Sequence, residues 1–234
     1  MYNMDEKGVQ LGIGKRIAAL VDRNQKVAQH IEAGDRELVT IIETVCADGS
    51  SLVPSVIFQG KRRNLDISVS EKGWTDQELG CLWIEKDFHP ASSARNKING
   101  YRLLVLDGHN SHCTYRFCKF AMQQRIVIVC LPAHTTHALQ PCDVGVFGPL
   151  ASCWKAEVLQ AARDNTIITK SNLLHFYAKA RSRAFKEKTI QAAFQKTGIW
   201  PLDPSAIPPE AFAPSQNTTT GAAQPLPAAL PGVR

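Results

Sequence analysis

The stretch "LLVLDGHNSH" (residues 103–112) places four apolar residues directly before an aspartate, a glycine and a polar segment that holds two histidines. A short, continuously apolar run of this kind predicts a β-strand that is covered on both faces. Open α/β sheets bind ligands beyond the carboxyl ends of such strands, which makes Asp107 a candidate for chemistry. The alternative is that Asp107 caps a turn, because Asp-Gly is a common turn dipeptide.

The composition indicates a soluble, intracellular protein. The 234 residues are 44% hydrophobic, which is enough for one sizeable domain with or without a tail. The seven cysteines are an odd number without a CxxC pair, a pattern typical of reduced thiols. No apolar run approaches the roughly 18–20 residues of a membrane span, so we expect no membrane partner. The net charge of +6 is compatible with a nucleic-acid partner but does not identify one.

Hydrophobic periodicity predicts a mixed α/β domain, in which Pro54 places the second strand of a hairpin at or near a sheet edge. A helix with a Thr75–Glu78 capping box follows this hairpin. The predicted elements, in chain order, are a possible first strand before residue 5, a hairpin at 37–61, a helix within 70–92, a strand at 101–107, a helix at 113–124, a buried strand at 126–131, a helix at 143–164, and one long or two short helices within 171–200.

The C-terminal composition differs from that of the rest of the chain. Gly198 is a helix stop signal, and eight of the thirteen prolines fall within residues 201–234, together with Thr and Ala repeats. Segments of this composition cannot bury enough apolar surface to fold. We therefore predict a domain at 1–207 followed by a disordered Pro/Ala/Thr-rich tail at 208–234.

Three aspartates occupy comparable positions in these elements. Asp5 follows the possible first strand, Asp107 follows "LLVL", and Asp143 opens a helix after the loop that leaves the 126–131 strand. If they share one sheet edge, their repulsion and desolvation require a cation between them. Oxygen ligands select Mg²⁺ or Mn²⁺, and two such ions about 3.5–4 Å apart can clamp a phosphodiester displacement. Sequence spacing alone leaves it open whether the three carboxylates converge.

Six consecutive blocks resemble the pogo-type DDE superfamily endonuclease domain, found in transposases of the Tigger, jerky and pogo group of the mariner superfamily, and especially in fungal ones. The blocks cover residues 1 to about 207 in order. They are "NMDEKG" (3–8), "GDRELVTIIETVCADG" (34–49), "GWTDQELGCLWIEKDF" (73–88), "YRLLVLDGHNSH" (101–112), "LPAHTTHALQPCDVGVFGPL" (131–150) and "AFQKTGIWPLDP" (193–204).

This resemblance implies an RNase H-like fold and cut-and-paste DNA transposition. It implies that Asp5, Asp107 and Asp143 are the catalytic metal ligands for Mg²⁺ or Mn²⁺, and the interval of thirty-five residues between Asp107 and Asp143 fits the superfamily. The implied partner is double-stranded DNA, both transposon ends and target. The implied location is the nucleus, and a homodimer is possible.

Two departures from the family pattern favour an alternative function. The chain begins four residues before Asp5, so the helix-turn-helix region that usually precedes the catalytic domain is expected to be absent. The stretch between residues 61 and 70 is also shorter than usual. The alternative is a domesticated or relic transposase fragment that binds nucleic acid or a partner without cleaving. A metal-dependent ribonuclease of the same fold is a further alternative.

Four histidines form two H-x-x-H pairs, and two basic segments are candidates for DNA contact. A zinc site is one interpretation of His109, His112, His134 and His137. We favour loop ordering or phosphate contact, with His109 and His112 supporting the metal ligands by hydrogen bonds. Phosphate contact and a solvated surface are both open for the basic segments. The candidates for DNA contact are Lys61, Arg62, Arg63, Arg181, Arg183 and Lys186.

Overall fold

A mixed β-sheet with helices on both faces forms the centre of the structure, which is a computed structural model that describes residues 1–11, 37–60, 68–70, 76–108 and 114–212. The six strands of these residues lie in the order β4-β3-β2-β1-β5-β6. The β1–β2 and β2–β3 pairs are antiparallel, whereas the β3–β4, β1–β5 and β5–β6 pairs are parallel. The strands are β1 (Tyr2–Gln10), β2 (Leu38–Cys46), β3 (Ser55–Gln59), β4 (Ser68–Ser70), β5 (Arg102–Leu106) and β6 (Ile126–Cys130).

Helices separate the last strands of the sheet and then follow one another to the end of the described residues. The predicted helices at 113–124 and 143–164 are confirmed, and the 171–200 region forms two helices rather than one. The helices are α1 (Gln77–Leu82), a π-helical segment (Trp83–Phe88), α2 (His89–Arg95), α3 (Tyr115–Gln123), α4 (Thr136–Leu139), a second π-helical segment (Cys142–Val146), α5 (Phe147–Arg163), α6 (Leu173–Ala184), α7 (Glu187–Lys196) and a 3₁₀ turn (Pro209–Phe212). No helix within these ranges is both long and apolar enough to cross a bilayer.

The hairpin predicted at 37–61 is confirmed as β2 and β3. β2 is rich in β-branched residues and is buried along almost its whole length, as expected of a central strand. The two strands pair antiparallel, with Thr40 opposite Ile57. Pro54 lies just before β3, which is the second strand from the edge because β4 pairs along its outer side.

The two faces of the sheet bury separate apolar cores. On one face, Val9 and Ile41 pack with residues of α5, α6 and α7. On the other face, Met4 and Leu104 pack with α1, α3 and the first π-helical segment. Because side chains alternate along a strand, the odd-numbered residues of β1 point to the α5–α7 face.

Two sequence predictions need correction. The predicted buried strand at 126–131 is instead the edge strand β6, on which Val127 and Val129 are 44% and 39% exposed. The cap of α1 was assigned to Thr75, but Asp76 is the N-cap, and its carboxylate accepts the Leu79 N–H at 2.8 Å. Thr75 lies outside the described residues.

The C-terminal part of the described chain follows α7. Gly198 adopts φ of +63°, which suits glycine and ends the helix as predicted. The first residues of the predicted tail are ordered as the 3₁₀ turn, in which the Ala211 carbonyl lies 2.9 Å from Nε2 of His137. Residues 213–234 lie outside the described ranges, so their disorder stays a prediction.

Candidate metal centre and active site

Two of the three candidate aspartates lie at the same level on neighbouring parallel strands. Asn3 of β1 pairs with Val105 of β5, and two residues further along each chain come Asp5 and Asp107. Because the side-chain period of a strand is two, all four side chains belong to the α5–α7 face. Asp107 directly follows β5, as predicted, and the N-cap of the next helix is Thr114. Asp5 lies in the middle of β1, which corrects its expected place at a strand end.

The second π-helical segment brings the third aspartate to this face. Its first residue, Cys142, is fully buried and donates its backbone N–H to Oδ1 of Asn3 at 2.9 Å. A Cβ atom added at Gly145 would lie 2.5 Å from Cβ of Ala193, so α7 approaches the segment closely from the other side. Asp143 is therefore carried by a turn that is fixed against both β1 and α7. Single π-helical turns of this kind are frequent at functional sites.

The pKa of Asp5 shows that the three carboxyl groups share one electrostatic environment. Burial, together with the negative charges of Asp143 and, more weakly, Asp107, raises the pKa of Asp5 to about 8. Hydrogen bonds from the amide of Gln140 and from the Glu6 backbone N–H, at 2.8 Å, oppose this rise. The negative charges of Asp107 and Asp143 thus act on Asp5, which is the effect expected of carboxylates that lie near one another.

Asp143 stands at the open side of this cluster. The residue is exposed, but its carboxyl group is partly buried, and this burial together with the charge of Asp107 raises its pKa. The ammonium group of Lys7 and a hydrogen bond with Asp5 act in the opposite direction. Lys7 Nζ lies 5.1 Å from the centre of the Phe147 ring, which holds this cation beside the carboxylates.

The chemistry of these donors fits a hard divalent cation. Gln140 is 1% exposed, and while its amide donates to Asp5, its Oε1 has no hydrogen-bond partner. Three carboxylates and a buried amide oxygen form an all-oxygen set of the kind that Mg²⁺ and Mn²⁺ prefer. Among the described residues, however, no group of three or more His, Cys, Asp or Glu has the spacing of a metal site.

A fourth carboxylate, Glu43, lies directly opposite Asp5 on β2 and is fully buried. It is neutralised from α6. Arg181 donates Nε to Oε1 of Glu43 at 2.8 Å and Nη2 to Oε2 at 2.9 Å, and the Tyr177 hydroxyl donates to Oε1 at 2.7 Å. Burial still raises the pKa of Glu43, against the effect of these partners. Arg181, predicted to contact DNA, is thus engaged in a buried ion pair, and this placement supports a structural role instead.

The other candidate residues are dispersed. Arg183 Nη2 lies 2.7 Å from Oε1 of Glu157, with its side chain 50% exposed, and Lys186 is exposed before α7. His134 and His137 are both exposed. The predicted residues that lie outside the described ranges are Lys61, Arg62, Arg63, His109 and His112.

Sequence reasoning missed four residues of this site: Asn3, Lys7, Glu43 and Gln140. Asn3 and Gln140 are uncharged, so a search for acidic, basic or metal-binding side chains passes over them. Lys7 and Glu43 carry charges, and their strand register with Asp5 would have placed them beside it. The period of two along β1 and the β1–β2 pairing are therefore the signals that could have identified them.

Comparison with known proteins identifies a family. The family model described as "DDE superfamily endonuclease" matches residues 35–194. This range includes Asp107 and Asp143, whereas Asp5 lies before it.

Two curated relatives align with parts of their own length. A protein of Cochliobolus lunatus named "MFS-type transporter clz9" is 31% identical over 222 residues, which are 88% of this chain and 24% of that protein. The human "Pogo transposable element with KRAB domain" is 25% identical over 164 residues, which are 67% of this chain and 27% of that protein. The chain spans about a quarter of the length of these curated relatives.

A solved structure has the same fold. The crystal structure of the Mos1 mariner paired end complex with Mn matches with a TM-score of 0.57 at 13% identity, and the match covers 84% of this chain and 52% of that chain. At this identity the likeness shows the fold, which is the RNase H-like fold of the Mos1 transposase catalytic domain. The predicted α/β sheet flanked by helices is thereby confirmed.

Proposed function

The chain belongs to the DDE superfamily endonucleases, of the pogo and mariner type, and from this membership we propose that it is the catalytic part of a cut-and-paste DNA transposase. The observation that carries the proposal is the electrostatic contact among Asp5, Asp107 and Asp143. These residues lie far apart in the sequence, on β1, after β5 and on the second π-helical segment. Their grouping on one face of the sheet supports the assignment of the family's chemistry to this cluster.

In this proposal the three aspartates hold Mg²⁺ or Mn²⁺. Bound divalent ions would activate a water molecule and stabilise the leaving oxygen of a phosphodiester, which is the chemistry needed for strand cleavage and strand transfer. The carboxylates would act as metal ligands and would not transfer a proton in the reaction. Support comes from the oxygen-only donor set and from the pKa of Asp5, which burial and the repulsion from Asp143 raise. A bound cation would relieve this repulsion.

Neighbouring residues would support these ligands and the substrate. Gln140 orients Asp5 through its amide N–H, and its Oε1 is available to a cation or to a water molecule. Lys7 is a cation at the open side of the cluster, where a DNA phosphate would approach. The remaining DNA contacts that we propose are Arg183 and Lys186, with Lys61, Arg62 and Arg63. His109 and His112 remain predicted supports for the metal ligands.

The proposed partners follow from the family. Both the transposon ends and the target would be double-stranded DNA, which a eukaryotic transposase meets in the nucleus. A homodimer would allow two transposon ends to be processed together. The net charge of +6 favours association with polyanions and predicts that DNA binding weakens as salt rises.

Nicking of supercoiled DNA tests the catalytic proposal. The purified chain is incubated with Mg²⁺ or Mn²⁺, beside an Asp107→Asn variant and a matched Asp164→Asn variant. Asp164 is an exposed residue at the end of α5, so its substitution controls for the effect of a surface Asp→Asn change, whereas Asp107→Asn controls for contaminating nuclease. We expect the wild type and Asp164→Asn to nick DNA and Asp107→Asn to be inactive.

Three results would overturn the proposal. Equal nicking by all three proteins would show that the activity does not depend on the carboxylate cluster. A wild-type chain that is stabilised by Mg²⁺ but nicks nothing would favour the non-cleaving relic. Preferential cleavage of an RNA–DNA hybrid over duplex DNA would favour the ribonuclease.

A further inference from the structure

We propose that Asn3 is a positioning residue whose side-chain amide fixes the three aspartates relative to one another. This inference rests on the proposed function, because it concerns the same carboxylate cluster. Asn3 is fully buried, and it touches neither the substrate nor a metal ion in this proposal. Its role is to connect the three parts of the chain that carry the aspartates.

Two hydrogen bonds make this connection. Nδ2 of Asn3 donates to the carbonyl oxygen of Val105 at 3.1 Å, and Oδ1 accepts the backbone N–H of Cys142 at 2.9 Å. Val105 precedes Asp107 by two residues, and Cys142 directly precedes Asp143. Asn3 itself precedes Asp5 by two residues on the same face of β1. One side chain therefore joins β1, β5 and the second π-helical segment next to all three carboxylates.

The short pairing of β1 with β5 and the start of a helical turn at Cys142 explain why these two contacts matter. The register between β1 and β5 extends only from the Tyr2–Leu104 pair to the Asn3–Val105 pair. Cys142 opens the π-helical segment, and the first N–H groups of a helix have no partner within it. Asn3 serves a carbonyl oxygen and an N–H group at the same time, which requires a donor and an acceptor on one short side chain.

The chemistry and size of asparagine explain why other residues would not replace it. Leucine has neither a donor nor an acceptor. Aspartate keeps an acceptor for the Cys142 N–H but loses the donor to Val105, and it adds a negative charge beside Asp5. A small residue such as serine is too short to span both bonds. The position therefore requires a neutral amide side chain, even where strand propensity would favour another residue.

Mn²⁺ binding by the purified chain tests the proposal independently of DNA cleavage. Free Mn²⁺ is measured by electron paramagnetic resonance for the wild type, for Asn3→Leu and for Ser92→Ala, at a temperature where circular dichroism shows all three to be folded. Ser92 is a matched control, because it is also fully buried and joins two elements, donating to Phe88 O at 2.6 Å and accepting from Arg102 at 2.8 Å. It lies on the opposite face of the sheet, in α2.

We expect Asn3→Leu to bind Mn²⁺ about ten- to a hundredfold more weakly, which is the usual loss when a group that orients metal ligands is removed. Ser92→Ala should bind as the wild type does. Wild-type affinity in Asn3→Leu, or an equal loss in Ser92→Ala, overturns the positioning role and leaves the proposed function intact. A wild-type chain that binds no Mn²⁺ overturns both.

Hydrogen exchange at the Cys142 amide gives a second readout that needs no metal. Asn3→Leu should lose protection at this amide, whereas Asn3→Asp, which keeps the acceptor, should retain it. Ser92→Ala should also retain it. Unchanged protection in Asn3→Leu would show that the Oδ1 contact does not hold the segment that carries Asp143, and would overturn the proposal.

Discussion

Replacing Arg181 by methionine should destabilise the protein strongly, because it leaves the buried charge of Glu43 without its main partner. Glu43 is 0% exposed and Arg181 is 19% exposed. The substitution removes two donors to the carboxylate and a third to the Leu52 carbonyl oxygen at 2.7 Å. Breaking a buried ion pair by removing one partner costs about 3–5 kcal/mol.

The loss should fall at the lower end of that range. The Tyr177 hydroxyl still donates to Glu43, and methionine retains much of the apolar stem of Arg181. We therefore expect a decrease of about 3 kcal/mol in the free energy of unfolding. For a domain of this size, that corresponds to a fall of about 6–12 °C in Tm.

Urea unfolding followed by circular dichroism measures the effect, with two further variants for comparison. In the double variant Glu43→Gln/Arg181→Met, the buried charge is gone and most of the stability should return. Arg183→Met is the comparison with a more exposed cation, because Arg183 is 50% exposed although its partner Glu157 is only 11% exposed, and it should cost about 1 kcal/mol, clearly less than Arg181→Met. A loss under about 1 kcal/mol for Arg181→Met, or no recovery in the double variant, would refute the buried-pair argument.

Two further predictions concern packing and alkaline pH. Gly145→Ala should destabilise by about 1–3 kcal/mol, because the new Cβ meets Cβ of Ala193 at 2.5 Å. Gly148→Ala, where a Cβ meets nothing within 4 Å, should stabilise by up to about 1 kcal/mol in the same urea experiment. Equal effects of the two would contradict the close approach of α7. Burial raises the pKa of Tyr2 from 10.0 to about 12, so the native chain keeps a proton that the unfolded chain gives up above pH 10. Stability should therefore fall between pH 10 and 12, and in Tyr2→Phe this fall should be gentler by up to about 1.4 kcal/mol per pH unit. Parallel stability curves for the two proteins would contradict the raised pKa.

Strands that coincide with apolar or β-branched runs could be predicted from the sequence. Leu103–Leu106 and the β-branched run from Val39 to Val45 are buried from both sides, and burial of both strand faces is what a continuous apolar run encodes. The exposure of Val129 was not predictable in the same way. β6 has the same kind of apolar run but forms the edge of the sheet, and strand order depends on contacts far apart in the sequence.

The extent of β1 shows the same limit. The polar residues Asp5, Glu6 and Lys7 end the apolar pattern, so the sequence suggested a strand that stops near Asp5. In the structure β1 continues to Gln10, since every residue from Tyr2 onward pairs with β2. Strand formation here follows from pairing rather than from intrinsic propensity. The consequence is functional, because Asp5 lies inside the sheet rather than at its edge.

The basic segment "KARSRAFKEK" (residues 179–188), which holds Arg181, Arg183 and Lys186, shows why a charge pattern alone does not decide between functions. For this segment the sequence left DNA contact and a solvated helix face both open, and Lys186 is exposed, as either interpretation requires. Arg181 belongs to the same run but points to the sheet, where its partner Glu43 lies 138 residues earlier in the chain. The sequence does not reveal this pairing, because neither residue carries a local signal of it.

The same pairing explains why three of the four acidic residues on this face are the candidate ligands. Asp5, Asp107, Asp143 and Glu43 would all attract a divalent cation if they were equally available. The Glu43 carboxylate already accepts hydrogen bonds from Arg181 and Tyr177, and it is fully buried on β2 beneath α6. Burial and neighbouring carboxylates raise the pKa of Asp5 and of Asp143, and for Asp143 the Lys7 ammonium group and a hydrogen bond with Asp5 oppose this rise. In the proposed function, Arg181 would therefore contribute by neutralising a competing carboxylate, which would leave the cation to the three aspartates that Asn3 connects.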